Sequence, residues 1–178
     1  MNIFKRVKLY YSHNRPAVHV HFETLTKLDY NYIDEGIYVG TNQCCTAGLS
    51  EVLQKEGITS DVSLEGEQLD QPYGVLQYVW IPTVDHDIPT DEQLAFGVAT
   101  LESLVQAGQK IYLHCKNGHG RSSTFLCAYL LKTRGMTPEQ ALQFIQLHRP
   151  SAHMQPCQKE LLQKYYAGIV AADARATA

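Results

Sequence analysis

The stretch KIYLHCKNGHGRSSTFLCAYLLKTRG, residues 110–135, decides the fold. Its first six residues form a short apolar strand, KNGHG is a glycine-containing turn, and RSSTFLCAYLLKTRG has the length of a helix and ends at Gly135. Upstream, VLQYVWIP (75–82) is a buried-strand run closed by Pro82. Thr90 with Gln93 has the spacing of a capping box, and Leu94, Val98, Leu101 and Val105 then make one helical stripe stopped by Gly108. Downstream, Thr137-Pro138-Glu139-Gln140 starts a helix that Arg149-Pro150 ends. A last helix fits 156–170, with Leu161, Leu162, Tyr165 and Ile169 inward. Towards the N-terminus, YNYIDEGIYVG (30–40) reads as a hairpin around Asp-Glu-Gly. A helix fits 46–56 with Leu49, Val52 and Leu53 on one face, followed by a strand at 58–64 and a polar loop, EGEQLDQPYG, at 65–74. Strands that alternate with helices, followed by a run of helices, predict an α/β fold with a short, mixed central sheet flanked by helices.

The strand-to-helix turn carries the chemistry. Cys115 closes the strand and Arg121 opens the helix, with Lys116, Asn117, Gly118, His119 and Gly120 between them. Glycines let the amides of 116–121 converge on one point, and the helix N-terminus adds its positive dipole end. Arg121 can hold two oxygens of a tetrahedral oxyanion as a fork. A thiol facing such a cradle is biased to the thiolate, and a thiolate in a phosphate-sized nest is a nucleophile for phosphorus. Ser122 is placed to donate a hydrogen bond to the sulfur. The alternative, an inert core thiol at a strand end, leaves the arginine and both glycines unexplained. GxxxxGK[ST] and GxGxxG are both absent, so the loop is neither an ATP-type phosphate loop nor a dinucleotide fingerprint. Transfer to sulfur also requires an acid for the leaving oxygen. Asp85, in the loop IPTVDHDIPT (81–90), is the candidate, with Asp87 as a loop or cap residue and His86 at the rim.

Composition sets the bounds. The chain has 178 residues and net charge −3, enough length for one core without disulfide or metal staples. Residues 1–30 carry a local +3, so the rest is acidic and nucleic acid is not an expected partner. No apolar run reaches the length of a membrane span, and the N-terminus lacks a secretory apolar block. The five cysteines contain no CxxC pair, which argues against a disulfide framework and a zinc site, and points to a reducing, cytoplasmic setting. Cys44-Cys45 reads as two small residues at a loop–helix junction, with a protective disulfide to the nucleophile as the alternative. His19 and His21 are a two-ligand pattern that is weak for a metal. Ile3, Val7 and Tyr10 among basic residues leave a targeting or membrane-surface segment as an alternative for the N-terminus. The expected organisation is an N-terminal segment at 1–27, one domain at 28–172 and a tail at 173–178.

HCKNGHGRSS resembles the signature loop, and WIPTVDHDIPT the general-acid loop, of the dual-specificity cysteine phosphatases within the protein tyrosine phosphatase superfamily. The resemblance extends over roughly 30–170. It implies Cys115 as nucleophile, Arg121 as phosphate clamp, Ser122 as thiolate partner, Asp85 as general acid and base, and His114 as a residue that fixes Cys115 from behind. It also implies a metal-independent, cofactor-free reaction and binding of phosphate, sulfate or vanadate in the 115–121 loop. Gln158 matches a position that reaches the active site in some members, but by itself reads as a helix-surface residue. Lys116 and His119 add positive groups to the cradle, and PTVD at 82–85 is similar to the acid loop of the mitochondrial-type phosphatidylglycerophosphate phosphatase. The expected substrate is therefore a phosphoprotein, with an anionic phospholipid or inositol phosphate as the alternative. A phosphate-binding module without turnover is a third reading.

Overall fold

The computed structural model describes residues 27–177. The expectations for Ile3, Val7 and Tyr10, for His19 and His21, and for the segment 1–27 up to Thr26 lie outside the described residues. Five strands, β1 (Tyr30–Asp34), β2 (Ile37–Gly40), β3 (Ser60–Glu65), β4 (Gln77–Thr83) and β5 (Ile111–His114), form one sheet in the order β1-β2-β5-β3-β4. β1 and β2 pair antiparallel and every other pair is parallel, so the sheet is mixed. Among the described residues there are five α-helices: α1 (Glu51–Glu56), α2 (Asp91–Gln106), α3 (Gly120–Arg134), α4 (Pro138–His148) and α5 (Pro156–Ala176).

Local chemistry explains most boundaries. Glu35 and Gly36 both take positive φ (50° and 82°), the demand of a two-residue hairpin turn. Thr90 with Gln93 and Thr137 with Gln140 each form a complete capping box, and Gly135 ends α3 in the left-handed region. The 46–56 helix is shorter than expected. Residues 42–44 make a 3-10 turn, Gly48 has φ 105°, and the α-helix begins only at Glu51. Leu49 and Leu53 are buried as expected, but Val52 is half exposed, because the segment before Ser50 does not continue the helical phase. The last helix continues to Ala176, so the tail expected at 173–178 is helical for most of its length.

The two faces of the sheet differ in kind. Ile111 and Leu113 of β5 join Val62 and Leu64 of β3 in the main core, closed by Leu94, Val98 and Leu101 of α2, by α3 and by Leu161 and Leu162 of α5. Tyr112 and His114 point the other way, beside Asp61 and Ser63, their register partners on β3. That face is covered by Cys44, Cys45, Leu49 and Leu53. β5 therefore runs centrally, buried throughout, and delivers Cys115 to the sheet's C-terminal edge, where α3 begins.

Candidate active site

The loop from Cys115 to Gly120 is shaped by where its carbonyls are held. Lys116 O accepts from Asn42 N–H at 3.2 Å, Asn117 O from Arg149 NH2 at 3.1 Å, and Gly118 O from Arg149 Nε at 2.9 Å. In a planar peptide the N–H points opposite to the C=O, so three carbonyls drawn outward leave the amides of 117–119 facing inward. Gly118 has φ 66°, and a Cβ there would run into the Gly40 carbonyl oxygen. Arg149 is fully buried and also donates to Asn31 Oδ1 and Asp29 Oδ2, both at 2.8 Å. The sequence marked this arginine only as a helix stop.

Cys115 sits behind the cradle, 3% exposed. Burial pushes its thiol up, but the Arg121 charge, the Ser122 hydroxyl and amide and the Gly118 amide outweigh that, and the pKa is lowered below the ordinary thiol value. The buried Ser122 hydroxyl makes no other hydrogen bond among the described residues and is one of the groups that lower the Cys115 pKa, so it is available to the sulfur. On the far side of the strand His114 lies 3.2 Å from Asp61 Oδ1 and 3.6 Å from Asp70 Oδ2. Burial opposes its charge, yet the two carboxylates and the Cys115 sulfur raise its pKa overall.

Arg121 is 1% exposed and divided between two tasks. Its NH1 donates to Glu67 Oε2 at 2.7 Å and to Thr83 O at 2.8 Å. Its NH2 lies 3.0 Å from Asp85 Oδ1, and its Nε makes no hydrogen bond among the described residues. One nitrogen is thus anchored, and Nε and NH2 are left to a bound oxyanion. Glu67 also accepts from the Asp85 amide through Oε1 at 2.8 Å, so one carboxylate ties the arginine to the acid loop. Sequence reasoning missed Glu67, since the polar loop EGEQLDQPYG offers no periodicity to single it out.

The acid loop is held by the start of α5. Gln158 donates to Asp87 O at 2.9 Å and accepts from Gln155 N–H at 2.9 Å; Gln155 Nε2 lies 3.2 Å from His86 Nδ1. Gln158 is 1% exposed, so the reading of it as a helix-surface residue is corrected. It packs against Gly120 and lines the cleft with Asp85, Lys116, His119 and Arg121. Asp87 accepts from the Ile88 amide and does not line the cleft, whereas Asp85 does. His86 stands at the rim with φ 60°. The cleft, about 170 Å³, joins Cys115, Arg121 and Asp85 in one space. Cys44 and Cys45 pack in the cluster on the other face of β5, and Cys115 in the main core.

The profile of the dual specificity phosphatase catalytic domain matches residues 37–167. Human dual specificity phosphatase 28 is 32% identical over 122 residues, 67% of this chain and 68% of that protein. Human phosphatidylglycerophosphatase and protein-tyrosine phosphatase 1 is 36% identical over 92 residues, 51% of this chain and 46% of that protein, so the match spans about half of that relative. The crystal structure of PTPMT1 in complex with PI(5)P superposes with a TM-score of 0.68 at 25% identity, covering 81% of this chain and 98% of that one.

Proposed function

The chain belongs to the dual specificity phosphatase family, and from that premise we propose that it hydrolyses phosphomonoesters on phosphotyrosine, phosphoserine and phosphothreonine proteins through a phosphocysteine at Cys115. The observation that carries this reading is the division of Arg121: NH1 is anchored by Glu67 and Thr83, NH2 meets only Asp85, and Nε makes no hydrogen bond among the described residues, at a cleft that Arg121, Cys115 and Asp85 line together. A phosphate dianion entering the cradle takes the inward amides and the two open guanidinium nitrogens, and displaces Asp85 from NH2. The Cys115 sulfur forms the S–P bond as the bond to the leaving oxygen breaks, and Asp85 gives that oxygen its proton. Asp85 then takes a proton from water as the water oxygen attacks phosphorus, and the electron pair of the broken S–P bond returns to sulfur under the Ser122 hydrogen bond. The step needs a reduced thiol, which favours a reducing, cytoplasmic compartment.

A second reading, hydrolysis of an anionic phospholipid or inositol phosphate, is favoured by the lysine and three imidazole side chains, Lys116, His86, His119 and His153, that line the cleft. The name of one similar protein and the ligand in one similar crystal structure are of that chemistry. Among the described residues no helix is long and apolar enough to cross a membrane.

Phosphate release from phosphopeptides, from phosphatidylglycerophosphate vesicles and from phosphoinositide vesicles tests both readings, with Cys115→Ser as the blank. The expected result is turnover of phosphopeptide with the higher kcat/KM, abolished in Cys115→Ser. A higher kcat/KM on lipid, lost selectively in Lys116→Ala, replaces the first reading by the second. Persistent turnover by Cys115→Ser removes both.

A further inference from the structure

Behind the catalytic strand lies a buried polar cluster that phosphoryl transfer does not use. Cys44, Cys45, Asp61 and His114 are each between 0% and 1% exposed, and one ligand atom from each lies within 4.8 Å of the other three. Cys45 Sγ is 2.7 Å from Cys44 Sγ and 3.2 Å from Asp61 Oδ2, and Asp61 Oδ1 is 3.2 Å from His114 Nε2. Both ring nitrogens of His114 and Oδ1 of Asp61 lack a hydrogen bond among the described residues. Buried polar atoms seldom go without partners, and these belong to side chains clustered with two buried thiols. Asp70, also buried, adds a second carboxylate 3.6 Å from the same imidazole and accepts from Ser63 Oγ at 2.6 Å. Two buried carboxylates against one imidazole leave room for more positive charge.

We propose that Cys44, Cys45, Asp61 and His114 form a structural site for a thiophilic divalent cation of the zinc class. Two thiolates, one imidazole and one carboxylate are a tetrahedral donor set; the sulfurs exclude magnesium and calcium, which take oxygen ligands. With metal–ligand bonds of about 2.0–2.3 Å, tetrahedral ligand atoms stand about 3.3–3.8 Å apart. The two sulfurs therefore separate by about 1 Å on loading. Each thiol loses its proton to solvent as its sulfur binds, and His114, whose charged form the two carboxylates favour, gives up its extra proton to bind as the neutral imidazole, with no change of oxidation state.

The fold assembles this set from three places that the sequence keeps apart. The 3-10 turn Asn42–Cys44 brings both thiols inward, β3 supplies Asp61 and β5 supplies His114. The site is closed to the cleft, being on the opposite face of β5, so its role is to tie the turn to the sheet. That turn also carries Asn42, whose amide donates to Lys116 O in the phosphate loop and whose side chain donates to Glu65 at 2.8 Å. Loading thereby braces the cradle from behind without touching substrate.

The test uses the Cys115→Ser full chain, tag-free, which removes the catalytic thiolate as a competing ligand. After incubation with zinc and gel filtration, about one equivalent is expected to remain. Zinc-edge X-ray absorption should show two sulfur and two lighter ligands. Adding Cys44→Ser and Cys45→Ser should remove the metal from a chain that remains folded by far-UV circular dichroism. Traces of zinc only, zinc held by nitrogen and oxygen without sulfur, as His19 and His21 would hold it, or full retention in the folded triple variant each overturn the proposal. Should the triple variant not fold, the absorption spectrum of the Cys115→Ser chain decides alone.

Discussion

At the scale of single residues, the site is a contest over one sulfur. Burial raises the Cys115 pKa; Arg121, Ser122 and the Gly118 amide lower it, and the lowering wins. A thiol with a depressed pKa is protonated only as the pH falls through that value and reacts as thiolate above it. Inactivation by iodoacetate should therefore reach half its maximal rate below the ordinary thiol pKa of about 8.5. Ser122→Ala removes one of the lowering contacts and should move that midpoint upward. An unchanged midpoint would show that the hydroxyl does not reach the sulfur. These residues were legible in HCKNGHGRSS because a nucleophile, its cradle and its clamp must lie within one turn of chain. Glu67 was not, because its partners Arg121 and Asp85 are 54 and 18 residues away and a glutamate in a polar loop is ordinarily a solvated one. Gln158 failed for a related reason: a buried amide on a helix leaves no trace in hydrophobic periodicity.

At the scale of elements, the cradle depends on the C-terminal end of α4 as much as on its own sequence. Arg149 follows that helix directly and reaches across to Asn117 O, Gly118 O, Asn31 and Asp29. Arg149→Met retains much of the buried volume while leaving two loop carbonyls without donors. It is expected to destabilise the fold by ~3 kcal/mol, since an unsatisfied buried acceptor costs ~1–3 kcal/mol. The kcat/KM of the folded fraction should fall as well, because the amides of 118 and 119 lose their aim. Asp29→Asn provides the contrast: its carboxylate is 51% exposed, and the loss should stay within ~1 kcal/mol. Equal losses in urea denaturation would mean that the ion pair, not the carbonyl contacts, carries the arginine's contribution. Helix boundaries were the readable part at this scale wherever a capping box wrote them, as at Thr90 and Thr137. They were not readable at 46–56, where Leu49 and Leu53 mimic a helical face although Gly48 and Ser50 are not helical and the helix starts only at Glu51. The same turn gathers Cys44 and Cys45 with Asp61 and His114, a donor set that the search for a CxxC spacing could not find, because tertiary pairing of β3 with β5 creates it.

At the scale of the whole molecule, the net charge is −3, yet the proposed substrate is an anion. A field spread over such a surface offers a phosphate no long-range attraction, and part of the acidity is sequestered in the buried side chains of Asp61, Glu65 and Asp70. Attraction must then act within a few ångströms, through inward amides, the open side of Arg121 and Lys116 at the mouth. Salt screens interactions beyond the Debye length, about 10 Å at 0.1 M and about 3 Å at 1 M, but hardly affects contacts inside a buried cradle. The kcat/KM for p-nitrophenyl phosphate should therefore change by no more than about threefold between low salt and about 0.5 M, far from the steep slopes of proteins that release many counterions. Lys116→Ala, which removes the exposed part of the attraction, should lower kcat/KM at low salt and flatten what dependence remains. A tenfold or larger fall across that range (~1.4 kcal/mol), undiminished in Lys116→Ala, would place the attraction in a wider surface field and require a basic region beyond residues 27–177.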